Sequence, residues 1–229
     1  VRLSIVVPAL DEAAGIAAAL EPLAPLRAAG HEVIVVDGGS SDATAAVAAR
    51  FADRVLAAPR GRASQMNAGA GVAAGEVLLF LHADTRLPDG ADRLVLDALA
   101  TSRRAWGRFD VRIEGRHWLL AVVAWLMNRR SRWTGIATGD QAIFVRRAAF
   151  ETVGGFPAQP LMEDVELSAR LKRISPPVCL DGPVVTSGRR WESYGVLRTI
   201  LLMWWLRLCY FLGTPPERLA QRYYGPRAK

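Results

Sequence analysis

The chain has little of what usually marks a scaffold or a resident cofactor. Only 2 of its 229 residues are cysteine. Cys179 and Cys209 form neither a disulfide framework nor a metal motif, and they read as apolar thiols compatible with a reducing cytoplasm. Lysine is almost missing: 27 of the 29 basic residues are arginine. GC-rich codon usage alone favours that excess, so it is not by itself a functional sign. The first turn, Pro8-Ala9-Leu10-Asp11-Glu12, lacks Gly-x-Gly-x-x-Gly, which argues against a Rossmann dehydrogenase. No apolar run reaches spanning length, because Arg198 and Arg207 interrupt the longest one. No signal peptide is visible where Val1-Arg2-Leu3 runs into a strand-like segment, and there is no internal repeat or low-complexity tract.

What is present is globular: 51% hydrophobic and 22% charged residues exclude intrinsic disorder. Residues 1–100 carry 8 basic and 12 acidic side chains, net −4; residues 101–229 carry 21 and 10, net +11. A basic second half points to anionic partners such as phosphates or acidic lipid headgroups. Nucleic acid rests on net charge alone and ranks last.

Short apolar runs at 3–7, 33–36, 53–57 and 77–81 alternate with helical patterns at 13–26, 43–51 and 63–74. That alternation predicts a parallel, doubly wound sheet. Asp11 reads as the N-cap of the first helix, with Pro22 and Pro25 limiting it. The run at 77–81 delivers Asp84 just beyond a strand's carboxyl end, where open α/β sheets bind ligands. The loops at 8–12, 37–42, 60–69 and 82–86 then open on the same edge.

Taken from the residues alone, Glu12 and Asp37 can accept hydrogen bonds from a base or ribose. Arg60 and Arg62 can neutralise a diphosphate, and Asp84 can ligate a divalent cation. Each also has a plain reading: Asp37 as a turn former, Asp42 as a helix cap, Arg62 as a surface charge, Asn67 and Gly69 as helix packing. Their joint occurrence is the signal.

Beyond residue 87 the pattern predicts a helix at 89–100, a strand at 105–113 and a helix at 117–130 bearing Trp118 and Trp125. A strand at 141–145, a helix at 162–174 and short strands at 178–180 and 184–186 follow. The segment 194–212 is strongly apolar. It either packs on the domain, meets a second subunit in a homo-oligomer, or lies peripherally in a membrane interface.

As an ordered set, several segments resemble the family 2 glycosyltransferases. They are Ile5-Val6-Val7-Pro8-Ala9-Leu10-Asp11-Glu12, Val36-Asp37-Gly38-Gly39-Ser40-Ser41-Asp42 and Arg60-Gly61-Arg62-Ala63-Ser64-Gln65-Met66-Asn67-Ala68-Gly69. Phe80-Leu81-His82-Ala83-Asp84, Gly139-Asp140-Gln141-Ala142 and Glu163-Asp164-Val165-Glu166-Leu167 complete the set. The resemblance implies a GT-A fold over 1–190, an α/β, mostly parallel sheet flanked by helices. Within it 1–100 is the nucleotide half and 101–190 the acceptor half, and 191–229 is an apolar helical tail.

It further implies a nucleotide-diphosphate sugar donor, UDP- or GDP-linked, bound by Pro8, Ala9, Glu12, Asp37, Gly39, Arg62, Asn67, His82, Ala83 and Asp84. Asp84 matches the last residue of the family's Asp-x-Asp metal motif, which implies Mg²⁺ or Mn²⁺. Asp164 matches the general base of an inverting displacement. Adjacent Glu163 raises its pKa by like charge, or caps the helix. Asp140, Glu163, Arg189, Arg190 and Trp191 fall on the acceptor and phosphate side. Two positions depart from the pattern. His82 stands for the first Asp of Asp-x-Asp, and either contacts ribose or metal or is a strand-end hydrogen-bonding residue. Gly38 stands for the second Asp of Asp-Asp-Gly-Ser. Gly188-Arg189-Arg190-Trp191 lacks the Gln of a Gln-x-x-Arg-Trp segment, so processive synthesis is not supported. A Trp-rich tail suits a lipid or apolar acceptor, at the inner face of the cytoplasmic membrane. The competing reading is a non-catalytic nucleotide-sugar binder, which Asp84 and Asp164 together argue against.

Overall fold

The computed structural model of the protein describes residues 1–225. β1 (Leu3–Ala9) is buried along its whole length. It is followed by α1 (Ile16–Leu20), a 3-10 turn, α2 (Ala24–Ala28) and β2 (Glu32–Asp37). Next come α3 (Thr44–Ala48), β3 (Arg54–Ala57), α4 (Arg62–Val72) and β4 (Val77–Phe80). β1 pairs in parallel with β2 and β4, and β2 with β3. Helices make the crossovers that parallel neighbours require.

The two-residue period of these strands builds two cores, one on each face. Ile5, Val7, Val33, Val35 and Leu79 face Ile16, Leu20 and Leu26 of α1 and α2. Val6, Ile34, Val36, Leu78 and Phe80 face Ala63, Met66 and Ala70 of α4. A methyl group on Gly69 would overlap Val6 Cγ1. Glycine there lets α4 lie directly on β1.

The second half adds β5 (Thr85–Arg86), α5 (Ala91–Thr101), β6 (Trp106–Glu114) and α6 (Leu119–Thr134). β7 (Phe144–Arg146), α7 (Arg147–Thr152), α8 (Glu163–Lys172) and β8 (Val178–Ser187) follow. The sheet order is β3-β2-β1-β4-β7-β6-β8-β5. β7 runs antiparallel to both β4 and β6, and β5 antiparallel to β8, while β6 and β8 are parallel. The sheet is therefore mostly parallel, as expected: the parallel pattern read from residues 3–81 holds for β1 to β4, and β7 and β5 supply the antiparallel pairs. A three-residue strand such as β7 has too little periodicity to disclose its direction.

Other boundaries are corrected as well. The helix expected over 13–26 is broken into α1, the 3-10 turn and α2, with Pro22 and Pro25 each in the first turn of a new piece. Asp11 is not its N-cap: at φ +52° its carboxylate turns away and accepts the Ser41 N–H at 2.7 Å. The strand expected at 141–145 begins only at Phe144, after a 3-10 turn at Gly139–Gln141. The two short strands expected at 178–186 are one, with a register shift opposite Phe109 and Val111.

The tail forms α9 (Arg189–Tyr194), α10 (Val196–Phe211) and α11 (Pro216–Tyr224). Leu206, Leu219 and Ala220 bury against Leu161, Met162 and Val165. One side of the apolar tail thus packs on the domain. The last residues of the expected tail, 226–229, lie outside the described residues.

Arg147, at the start of α7, ties the end of the interior strand β7 to the C-terminal end of α4. Its guanidinium donates to the carbonyls of Ala70, Ala73 and Gly75, at 3.2, 2.6 and 2.7–2.9 Å. Arg147→Met strips these helix-end carbonyls of their donor and is expected to cost about 2–3 kcal/mol, measured by urea unfolding.

Candidate active site

Parallel register brings the strand ends together: Ala9 lies opposite Asp37, and Val6 opposite Phe80. The loops that follow are laced to one another. The Asp11 N–H donates to Ser40 Oγ at 2.9 Å, the Glu12 N–H to Thr44 Oγ1 at 2.8 Å, and the Ala13 N–H to Asp42 Oδ2 at 3.0 Å. Asp42 therefore ties two loops together rather than only capping a helix. Asp37 accepts from the Gly39 and Ser40 N–H groups at 3.1 and 3.0 Å and from the Ser40 hydroxyl.

Gly38 has a local explanation. Gln65 Nε2 donates to the Ala9 and Val36 carbonyls at 2.8 Å each, and a Cβ on Gly38 would stand 3.0 Å from that amide. The Gln65 side chain takes up the space that a second Asp would need.

These loops wall one cleft of about 1160 Å³. Of the residues singled out from the sequence, Pro8, Ala9, Glu12, Arg60, Arg62, Asn67, His82, Ala83, Asp84, Asp140, Arg190 and Trp191 line it. Asp37, Gly39, Glu163, Asp164 and Arg189 are not on its wall. Arg189 donates to Glu12 Oε2 at 3.3 Å. Asn67 also clamps the backbone of Phe156, donating to its carbonyl at 2.8 Å and accepting its N–H at 2.9 Å.

Sequence reasoning missed the far wall. Gln159, Met203, Tyr223 and Tyr224 come from a loop, α10 and α11. The Arg190 guanidinium lies 3.8 Å from the centroid of the Tyr223 ring. Two aromatic residues near a chain end give no periodic signal that would announce this.

The acidic side of the cleft is a chain of linked groups. His82 Nδ1 is 3.2 Å from Asp140 Oδ1. Its Nε2 edge packs on Gly139, where any Cβ would overlap the ring. Burial works to raise the Asp140 pKa, but the His82 hydrogen bond, with the charges of His82, Arg62 and Arg207, holds it below the usual carboxylate range. Asp164 sits behind this wall. Its Oδ2 accepts the Gly139 N–H at 2.7 Å and its Oδ1 the Val165 N–H at 2.7 Å. Arg62 is solvent-accessible yet enclosed by the cleft. Burial there works to lower its pKa, but Tyr224, Glu163, Tyr223 and Asp140 outweigh it and the pKa rises.

The carboxyl that is pushed up is Glu163, to about 7, by burial first and by the neighbouring Asp164 charge second, with Arg62 opposing. Two further guanidiniums lie near Asp164. Burial lowers the Arg130 pKa to about 10 and also lowers that of Arg207. Arg130 Nε and Nη2 are buried without a hydrogen-bond partner among the described residues.

The Glu163 shift makes a stability prediction. Between pH 4.5 and about 7 the folded protein holds a proton that the unfolded chain has released. This group's contribution to stability therefore falls as pH rises through that window. Glu163→Gln removes the loss, and its gain over wild type at pH 8 is expected to be at most about 3 kcal/mol, with little gain at pH 4. Urea unfolding at the two pH values checks it, and equal effects at both would contradict it.

Among the described residues no group of three or more His, Cys, Asp or Glu side chains could hold a metal ion by itself. Asp84 lines the cleft, and among the described residues its carboxylate has only a 3.4 Å contact from the Thr85 hydroxyl. One carboxylate suits a hard divalent cation that completes its shell with diphosphate oxygens and water. The residues fit a cation arriving with its substrate rather than a resident one.

Residues 4–153 match the family model described as Glycosyl transferase family 2. The chain belongs to glycosyl transferase family 2. Relatives named PGL/p-HBAD biosynthesis glycosyltransferase, from Mycobacterium bovis and Mycobacterium tuberculosis, are 32% identical over 170 residues. That alignment spans 67% of this chain but 62% of theirs. Among solved structures, S. aureus TarS 1-349 in complex with UDP-GlcNAc superposes with a TM-score of 0.67 at 16% identity, over 82% of this chain and 58% of that one. The mannosyltransferase PcManGT from Pyrobaculum calidifontis, in complex with GDP-Man and Mn²⁺, gives 0.64 at 21%, over 94% and 66%. The fold shared with these glycosyltransferases is GT-A.

Proposed function

We propose that the protein transfers a sugar from a nucleotide-diphosphate sugar, UDP- or GDP-linked, to an acceptor hydroxyl, with inversion at the sugar carbon. The observation that carries this reading is the cleft at the strand ends, which gathers Pro8, Glu12, Arg62, His82 and Asp84 from three separate loops. Donor complexes of similar folds, one with UDP-GlcNAc and one with GDP-Man and Mn²⁺, support the donor class.

In this reading Pro8, Ala9 and Glu12 flank the nucleoside, with Asp37 and Gly39 shaping the loop behind them. Arg62 faces the diphosphate. Asp84 holds Mg²⁺ or Mn²⁺, which supplies charge stabilisation to the departing diphosphate. Asp164 takes the proton from the acceptor hydroxyl as it attacks the sugar carbon on the face opposite the leaving group. Gly139 keeps its carboxylate oriented, and Arg130 and Arg207 supply positive potential around it. Arg190 and Trp191 lie on the acceptor side, where Trp191, Tyr223 and Tyr224 suit an apolar or lipid-like acceptor. Cys179 and Cys209 are both free, which supports a reducing, cytoplasmic setting.

A thermal-shift panel of UDP, GDP, CDP and their sugars, with and without Mn²⁺, tests the donor assignment. One base is expected to raise the melting temperature, equivalent to about 2.7 kcal/mol at a hundredfold excess over Kd. The rise should be larger with metal. Folded protein that responds to none of them would contradict the reading.

A further inference from the structure

Helices α6 and α10 each bury one face and leave the other bare. On and just before α6 the exposed large apolar residues are Trp118, Val122, Trp125, Leu126 and Trp133; on α10 they are Leu197, Leu201, Trp204, Trp205, Leu208 and Phe211. All are between 39% and 78% exposed. Steps of three and four link Trp118, Val122 and Trp125, and link Leu197, Leu201, Trp204, Leu208 and Phe211, so each run lies on one face of its helix, widened by Leu126 and Trp205. Scattered exposed apolar residues need no explanation, but eleven on two helices that pack together form a patch that does.

The free charge on these segments is basic. Neither 115–139 nor 193–216 contains an Asp or Glu, and Arg116, Arg129 and Arg198 are exposed on them, while Arg132 pairs with Asp110 and Asp181 and Arg130 and Arg207 lie inward near Asp164. The Arg129 guanidinium lies 5.4 Å from the Trp125 ring centroid and 5.7 Å from that of Trp133, an aromatic and cationic ladder on the bare face. The helices begin side by side. Arg116, His117, Leu197 and Arg198 wall a shallow groove between their first turns, with Glu192 as the single carboxylate lining it. Glu192 is already engaged by the Arg116 N–H at 2.5 Å.

Neither helix can cross a bilayer. Among the described residues no helix is long and apolar enough. Each has 16 residues, about 24 Å, against a hydrocarbon core of about 30 Å. A two-fold contact between copies would set this acid-free, arginine-rich surface against itself, which like charge disfavours. An anionic lipid surface complements both its charge and its apolar area.

We propose that the outer faces of α6 and α10 seat the protein in the headgroup layer of an anionic membrane, tryptophans at headgroup depth and arginines on lipid phosphates. α9 joins this face to the cleft: Arg190 and Trp191 line the cleft, and Glu192 lines the groove. Docking therefore brings the cleft's Arg190 side to the bilayer. The inference rests on surface composition and stands whether or not the sugar-transfer reading does.

Co-sedimentation of the full chain with phosphatidylcholine vesicles, with and without phosphatidylglycerol, tests it. Binding is expected to be at least about tenfold tighter with phosphatidylglycerol and to weaken as salt is raised. Brominated acyl chains should quench the tryptophan fluorescence of the bound wild-type protein. Trp125→Glu combined with Trp204→Glu should weaken vesicle binding at least about tenfold while leaving far-UV circular dichroism and nucleotide-induced thermal shifts unchanged. Equal binding to both vesicles, or bound protein with unquenched tryptophans, would overturn the proposal. So would self-association that the double variant abolishes in a protein that ignores vesicles.

Discussion

Replacing Asp164 by Asn is expected to leave donor affinity intact and to lower turnover by about two to four orders of magnitude. Asn keeps a carbonyl oxygen for the Gly139 N–H, which Asp164 Oδ2 now accepts at 2.7 Å, and gives up only the contact that Oδ1 accepts from the Val165 N–H. What it loses is the ability to take a proton. Donor titration and single-turnover transfer separate the two effects. Turnover retained in Asp164→Asn but lost in Glu163→Gln would move the base to Glu163. That side chain is 5% exposed, and its pKa of about 7 already lies in the range a general base needs. A pH–rate profile of each variant would then report which carboxyl sets the acidic limb.

Replacing Asp84 by Ala is expected to abolish the part of donor binding that depends on metal. Asp84 is half-buried on the cleft wall. Its only side-chain partner among the described residues is the distant Thr85 hydroxyl, so the apo protein should melt almost as wild type. The increment that Mn²⁺ adds to the nucleotide-induced shift should vanish, and any metal-independent shift should remain. An undiminished increment would remove Asp84 from the cation site. His82 is a poor substitute ligand, because Asp140 engages one ring nitrogen and Gly139 packs against the other.

Much of the first half is legible before any coordinates. β1, β2 and β4 are runs of fully buried residues ended by Pro, Asp or His, and such runs suit only strands covered on both faces. Once their parallel order is inferred, the convergence of Pro8, Glu12 and Asp84 follows, and the structure brings all three onto one wall. The departures at Gly38 and His82 are equally plain in the letters, yet their reasons are not. Gln65 lies 27 residues beyond Gly38, and Asp140 lies 58 beyond His82.

The sequence by itself determined the alternation of strand and helix, the acid-rich edge beside Asp84, the family, and an apolar tail too interrupted to span a membrane. These are properties of local composition and period, which a short window of chain contains. The tertiary structure alone decided the rest. It turned β7 antiparallel, folded α11 back so that Tyr223 meets Arg190, and put Asp164 behind the wall that Asp140 forms. It also placed the burial on Glu163, and set the bare faces of α6 and α10 next to each other. Each of these depends on contacts between residues far apart in the chain, and a local pattern carries no record of them.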